Sequence, residues 1–372
     1  MLSFRLAGMK RYIIPVIIFL CFAGIYVGIS IHKDNNFLFL PVWDVAHYVS
    51  ISESGYQVYP CTPGMEYPAG KICGNAGWYP FWPIVAKIIR PLLGGSSQTT
   101  FIGLAFLFTL LGFIILFLFM EKHYGYKEAI FTLLAIAFGP ASFYLLTGFP
   151  YALFIFLFAS YLFLFYKPPE IKRDILLFIL GLAISLTYPS GILFVIIPAL
   201  VSLFSHGPGN IPNNVYSWKR RLIHSFPFIL GLLIIWGYFY FKFDDFFLQI
   251  HFQEKYHRTW AIPLYIIFKS LTEFPIYSPE NLAIIWYGLT FLLFIPYRIR
   301  PELWILAIVL YLFSPTTGTT MSIYRHYLIL FPSYMIIGTS SRPIWIKIAF
   351  IALGFLMALF VFFPLFISNR LI

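Results

Sequence analysis

The sequence predicts an all-α polytopic membrane protein that crosses its bilayer about eleven times. Of 372 residues, 60% are hydrophobic and only 10% are charged, where soluble domains carry roughly a quarter charged residues. Apolar runs of about twenty residues recur from end to end, each able to cross a hydrocarbon core about 30 Å thick. Strand-type alternation is absent from those runs, so each must satisfy its backbone internally as a helix.

Spans fall near 12–31, 101–120, 128–146, 150–166, 174–188, 191–205, 225–243, 281–297, 302–314, 327–341 and 348–367. With the N-terminus cytoplasmic, the alternate turns hold Lys122, Lys127, Lys167, Lys172, Arg173, Lys219, Arg220, Arg221, Arg298, Arg300, Arg342 and Lys347. Together with Arg5, Lys10 and Arg11 this places 15 of the 25 basic residues in short cytoplasmic segments, as the positive-inside rule requires. Nine of the fourteen acids, including Asp34, Asp44, Glu53, Glu66 and Glu254, fall on the other side. The net charge of +11 is thus explained by topology, and no basic stripe points to nucleic acid. The first run lacks a small-residue cleavage site and is read as a retained helix.

Two outer segments are long, 32–100 and 244–280. Both contain short apolar-aromatic stretches, such as Tyr79-Pro80-Phe81-Trp82-Pro83 onward to Leu93, that suit amphipathic helices at the membrane surface. Cys61 and Cys73 share the first of these loops; an oxidising compartment permits a disulfide, and two free thiols fit the sequence equally. Cys21 lies inside the first run. The connector 206–224, with Asn213-Asn214, reads as flexible.

No ionisable residue stands at the centre of a span, which argues against ion or proton conduction. Ionisable side chains gather instead at outer helix ends. In Trp43-Asp44-Val45-Ala46-His47-Tyr48, a helix over 43–54 would put Asp44, His47 and Tyr48 on one face, with Glu53 following; the same placement also fits Asp44 as a helix cap and His47 as a surface residue. The second cluster is Glu254-Lys255-Tyr256-His257-Arg258-Thr259-Trp260, and the third is Tyr324-Arg325-His326-Tyr327. Cations at this depth suit a lipid phosphate, and Arg325 offers a forked donor for one; they equally suit interfacial anchors that snorkel toward headgroups. Zinc-type Cys/His spacing, a Gly-rich phosphate loop and a serine nucleophile elbow are all missing. An activated donor would therefore be lipid-borne.

These residues resemble a family. Trp43-Asp44, His47-Tyr48, Ile51, Gly55-Tyr56 and Tyr79-Pro80-Phe81-Trp82-Pro83 are similar to the first outer loop of the PIG-V type mannosyltransferases, members of the GT-C superfamily of membrane glycosyltransferases. Pro140 to Tyr144, Pro150 to Phe154, Thr187 to Gly191, and Ser322 to Tyr327 with Phe331-Pro332 fit in the same order. The chain departs from the family where Pro150-Tyr151-Ala152-Leu153 replaces Tyr-x-Glu-Ser, and where Tyr188 stands in place of an arginine.

The resemblance implies a GT-C-like bundle and an inverting transfer of a hexose, with mannose the family's sugar, from a polyprenyl-phosphate donor to an extracytoplasmic or lumenal acceptor. Asp44 would be the general base. His47, Tyr48, Glu53, Tyr79, His257, Arg258, Trp260, Tyr324, Arg325 and His326 would bind substrate. The implied partners are the lipid-linked donor, a lipid, glycan or protein acceptor, and membrane lipids. No cofactor is expected, although some relatives use a divalent metal beside the aspartate, for which His47 or Glu53 would be the further donor. The site would face outward from a plasma membrane in a prokaryote, or the endoplasmic reticulum lumen in a eukaryote. A flippase lined by Thr147, Ser160, Ser185 and Thr187, or a non-catalytic subunit of a glycan pathway, are the alternatives.

Overall fold

A computed structural model describes residues 2–32, 43–63, 67–201, 217–295 and 298–368, with side chains from residue 12 onward. Asp34, Glu66 and Asn213-Asn214 lie outside the described residues. Helices account for nearly all the rest, and a helix or helix fragment underlies every predicted span. Four are long and apolar enough to cross a membrane: Tyr12–His32 of α1 (Leu2–His32), α4 (Ser97–His123), α9 (Trp218–Phe243) and Ile344–Ile367, which joins α16 (Ile344–Met357) to α17 (Phe363–Ile367).

The other runs are shorter or broken, and the breaks follow the prolines. The run 128–146 is not one helix: α5 (Tyr126–Ala137) stops before Gly139-Pro140, and a 3-10 turn covers Ser142–Leu146. Proline lacks the N–H that would continue the ladder. α6 (Tyr151–Phe165) then starts directly after Pro150, and α7 (Ile171–Thr187) ends before Tyr188, which is extended as a residue preceding proline should be. Pro189–Val195 is 3-10 and leads into α8 (Ile196–Leu200). Likewise the run 327–341 begins as a 3-10 turn over Tyr327–Ile329, and only Phe331–Thr339 is α-helical.

Where helices meet, small residues let their backbones approach. A Cβ on Gly112 of α4 would stand 3.1 Å from the Phe156 nitrogen of α6. The helix Phe331–Thr339 packs on α5 with every residue buried, and a Cβ on Gly338 would meet Thr132 Oγ1 at 2.1 Å and the Glu128 carbonyl oxygen at 2.7 Å. Three of the hydroxyls offered for a polar path are used locally: Thr147 donates to Tyr144, Ser185 to Phe228 and Thr187 to Ala183 carbonyls.

The first outer loop folds onto one end of this bundle. It contains α2 (Asp44–Ser54) and α3 (Phe81–Leu93), the short helices expected there. α3 buries Trp82 and Ala86, donates the Trp82 indole N–H to the Gly148 carbonyl at 2.8 Å, and leaves Ile88 and Leu92 exposed for lipid. Between them lies an antiparallel hairpin that the sequence pattern did not announce, β1 (Val58–Pro60) with β2 (Ile72–Gly74), and Cys61 and Cys73 close it as a disulfide. The second outer segment supplies α10 (Leu248–Gln253) and α11 (Pro263–Glu273), followed by α12 (Pro279–Leu293), α13 (Pro301–Phe313), α14 (Ile323–His326) and α15 (Phe331–Thr339).

Gly338→Ala should therefore cost about 2 kcal/mol, as overpacking does, and lower the melting temperature of the detergent-purified protein. Gly24→Ala, where a Cβ meets nothing within 4 Å, should leave the melting temperature unchanged or slightly higher.

Candidate active site

The site is built from three separate pieces of chain: the start of α2, the loop after α10, and α14. Asp44 is the first residue of α2, but its carboxylate makes no capping bond there. It faces Arg325 instead, with Oδ2 3.2 Å from Nη1. Both side chains are largely buried, 23% and 11% exposed. Arg325 also lies over the Phe149 ring, and its Nε is buried without a hydrogen-bond partner. Burial opposes the Arg325 charge, yet Asp44 and the tyrosines Tyr151, Tyr324 and Tyr144 outweigh it and hold the guanidinium above its ordinary pKa.

Arg258 approaches from the second outer segment. Its Nη1 donates to Gln253 Oε1 at 2.9 Å, while its Nε is buried without a partner. Burial lowers its pKa, and Arg325 lowers it further, so the two guanidiniums repel each other across the site. His326 follows Arg325 in sequence, and its Nδ1 is hydrogen-bonded to the Tyr188 hydroxyl, which in turn meets the Tyr151 hydroxyl at 3.3 Å. Burial, then Arg325 and Arg258, keep His326 well below its usual pKa and so neutral. Arg258, His326, Tyr188 and Ser190 line one small cavity of about 90 Å³, and the Ser190 hydroxyl is buried without a partner.

Backbone strain marks the same three places. Trp43, His257 and Ser322 have φ of 48°, 55° and 62°, a region that side chains with a Cβ rarely enter. Each lies within three residues of one of the charged groups Asp44, Arg258 and Arg325. Such conformations persist where surrounding contacts over-determine them, and they cluster at functional sites.

His47 shares the helix face with Asp44 but stacks flat on Trp78, ring centroids 3.6 Å apart. Burial lowers its pKa to about 4, with Asp44 acting against that shift and Lys255 with it. Tyr48 is buried beneath, within electrostatic reach of Asp44, Tyr188 and Arg325. Tyr79, His257 and Trp260 line a larger cavity of about 720 Å³ that also has Arg258 in its wall. Two expected residues stand elsewhere. Glu53 is at the far end of α2, accepting from Ser97 at 2.6 Å with Arg90 at 3.7 Å; nothing there joins it to Asp44, so the metal pairing of Asp44 with Glu53 is not formed. Tyr324 is packed against Tyr144 and Phe362 in the core. Among the described residues, no three His, Cys, Asp or Glu side chains gather as a metal site.

With this geometry in view, the architecture has a counterpart. The chain folds like ArnT. The structure of ArnT from Cupriavidus metallidurans bound to undecaprenyl phosphate matches 86% of this chain at 16% identity, with a TM-score of 0.50, and this chain spans 59% of that one. Two structures of the Archaeoglobus fulgidus oligosaccharyltransferase are also similar, one tethered with an acceptor peptide, the other in complex with an inhibitory peptide and a dolichol-phosphate. They are 15% and 13% identical, match 87% of this chain and 50% and 51% of their own, and have TM-scores of 0.41. No protein-family model matches the sequence, and no curated protein does. The all-helical fold expected from the sequence is the fold observed, and ArnT shares it.

Sequence reasoning passed over several side chains that the fold brings in. Lys255 is 4% exposed, with its ammonium 3.8 Å from the Phe252 ring centroid and 4.5 Å and 4.9 Å from those of Tyr67 and Tyr256. Tyr188, which stands where the PIG-V pattern has an arginine, is hydrogen-bonded to Tyr151, next to Ala152, where that pattern has a glutamate. Their pairing, from the start of α6 to the end of α7, has no sequence signal.

The His47 environment makes a pH prediction. Its folded pKa of about 4 lies below the ordinary 6.5, so between those values the unfolded chain binds more protons. Stability should be complete above pH 6.5 and fall as pH drops toward 4. Chemical denaturation across that window should show a shallower acid loss in His47→Phe, which retains a ring to stack on Trp78.

Proposed function

We propose that this chain is a membrane glycosyltransferase of the GT-C type, moving a hexose from a polyprenyl-phosphate donor to an acceptor hydroxyl on the non-cytoplasmic side. The observation that carries this reading is the charge balance beside Asp44. The Asp44 carboxylate faces the buried Arg325 guanidinium, and the largely buried Arg258 guanidinium lies within electrostatic reach of both. A dianionic or monoanionic phosphate entering the small cavity would satisfy Arg258 and the unpartnered Ser190 hydroxyl, where charged and forked donors are strongest. That ArnT was solved with undecaprenyl phosphate on a similar fold agrees with such a ligand.

In the proposed reaction, Asp44 takes the proton of the acceptor hydroxyl as its oxygen attacks the anomeric carbon. The bond from that carbon to the phosphate oxygen breaks on the opposite face, and its electron pair leaves with the phosphate. Arg258 and Arg325 stabilise the charge that develops there, in a site poor in water. Arg325 has a second task, holding the Asp44 carboxylate in position. The neutral imidazole of His326, fixed by Tyr188, borders the phosphate cavity and supplies a hydrogen-bonding nitrogen. Inversion at the sugar carbon follows from a single displacement.

Mannose is the sugar we favour, because the Trp43-Asp44 to Gly55-Tyr56 pattern and the Tyr79-Pro80-Phe81-Trp82-Pro83 stretch resemble PIG-V type enzymes. The orientation is supported by two independent features. The Cys61–Cys73 disulfide is on the Asp44 side and suits an oxidising compartment, and the basic turns Lys172-Arg173 and Lys219 to Arg221 lie at the opposite helix ends.

Purified protein incubated with polyprenyl-phosphate mannose, glucose and galactose should transfer at least one of these sugars. Asp44→Asn should lower turnover about a hundredfold or more, the range general bases contribute, and lower the melting temperature without loss of the helical fold, because Arg325 loses its charged partner. Arg258→Leu should lower kcat as well as raise KM for the donor. Transfer by Asp44→Asn at the parental rate would remove Asp44 as the base.

A further inference from the structure

We propose that the larger cavity beside Arg258 is a binding site for a neutral hexopyranose ring, with Gln249 as the residue that recognises its hydroxyls. The cavity has a volume of about 720 Å³, and its walls include Tyr79, Trp236, Gln249, Gln253, Arg258 and Trp260. That volume is in the usual range for small-molecule sites.

Gln249 is the decisive feature. It is 8% exposed, and neither its carboxamide oxygen nor its nitrogen has a hydrogen-bond partner among the described residues. Buried polar groups are nearly always paired, and leaving both ends of an amide unmet is costly. A carboxamide offers an acceptor and two donors on one rigid plane. Adjacent hydroxyls of a sugar ring each donate and accept, so one pair of them satisfies both ends of Gln249.

The charges around the cavity favour a neutral guest. Lys71 at the rim is ion-paired with Glu254 at 2.9 Å, and Arg258 is engaged with Gln253. What remains is aromatic surface. Trp236 is held edge-on by Phe246 and Phe247, and Trp260 is 79% exposed at the border of the cavity. Flat rings beside a hydrogen-bonding group match a pyranose, which has an apolar C–H face and a polar edge. Arg258 also lines the small cavity with His326 and lies within electrostatic reach of Asp44. A ring held here therefore sits next to the proposed phosphate site. The role of that ring in transfer rests on the proposed function; its binding rests on Gln249 and the cavity alone.

The same chemistry belongs to the donor's hexose and to a saccharide acceptor, and one experiment separates them. Saturation-transfer NMR on detergent-purified protein would use methyl α-mannoside, α-glucoside and α-galactoside as probes. At least one should bind the parental protein. Gln249→Leu should weaken that binding about tenfold, the loss expected when a hydrogen-bonded pair is removed, and Trp260→Ala, an exposed position that leaves the packing intact, should weaken it several-fold. Displacement of the glycoside by polyprenyl-phosphate mannose assigns the ring to the donor; binding that persists alongside it assigns the ring to the acceptor. If no glycoside binds, or if both variants bind it as tightly as the parent, the sugar site is refuted. Gln249-dependent binding together with Asp44-independent transfer would keep this site and overturn the catalytic reading.

Discussion

The contact between Asp44 and Arg325 is the constraint on which the outer half of the structure depends. It joins residues 281 positions apart in sequence, one at the start of the first outer loop and one just before the last pair of apolar runs. Withdrawing both charges from water is expensive, and a buried pair often contributes little net stability for that reason. The pair is nevertheless accompanied by strained backbone at Trp43 and Ser322. Neither cost aids the packing of helices. Both fix where a carboxylate and a guanidinium meet.

Among the described residues, that pair is joined by a second guanidinium, Arg258, within electrostatic reach of both. Arg325 lowers the pKa of Arg258, Lys255 packs against aromatic faces, and burial keeps His326 neutral beside Tyr188. An arrangement of this kind is stable enough to fold yet improves when an anion arrives. The broken helices contribute here as well. Pro189 turns the chain so that Tyr188 and Ser190 reach the cavity, and the short α14 brings Arg325 and His326 to it. Non-helical backbone is acceptable at such depth because it is buried in protein and lines a cavity.

Much of the architecture was legible because its causes are local. Apolar length marks where the helices fall, and Asp44 with His47 on a short helix follows from spacing. The breaks in 128–146 and 327–341 were written in Pro140 and Pro332, but a window of hydropathy averages across them. Glu53 shares a helix with Asp44, but nine residues of helix is a rise of about 14 Å, which carries Glu53 to Arg90 and Ser97 instead. Asp44 was open to a capping role, and only the position of Arg325 removes it. The Cys61–Cys73 bond, the Tyr151–Tyr188 pair and the unmatched Gln249 amide depend on tertiary contacts, for which a single sequence carries no periodicity or motif.

The most direct test of the central claim is an experimental structure with undecaprenyl phosphate bound. The account predicts its phosphorus within hydrogen-bonding reach of Arg258 and His326, beside the Asp44–Arg325 pair, with the isoprenoid chain leaving toward the bilayer. A phosphate seated instead at the opposite helix ends, among Arg173 and Arg220, would contradict it.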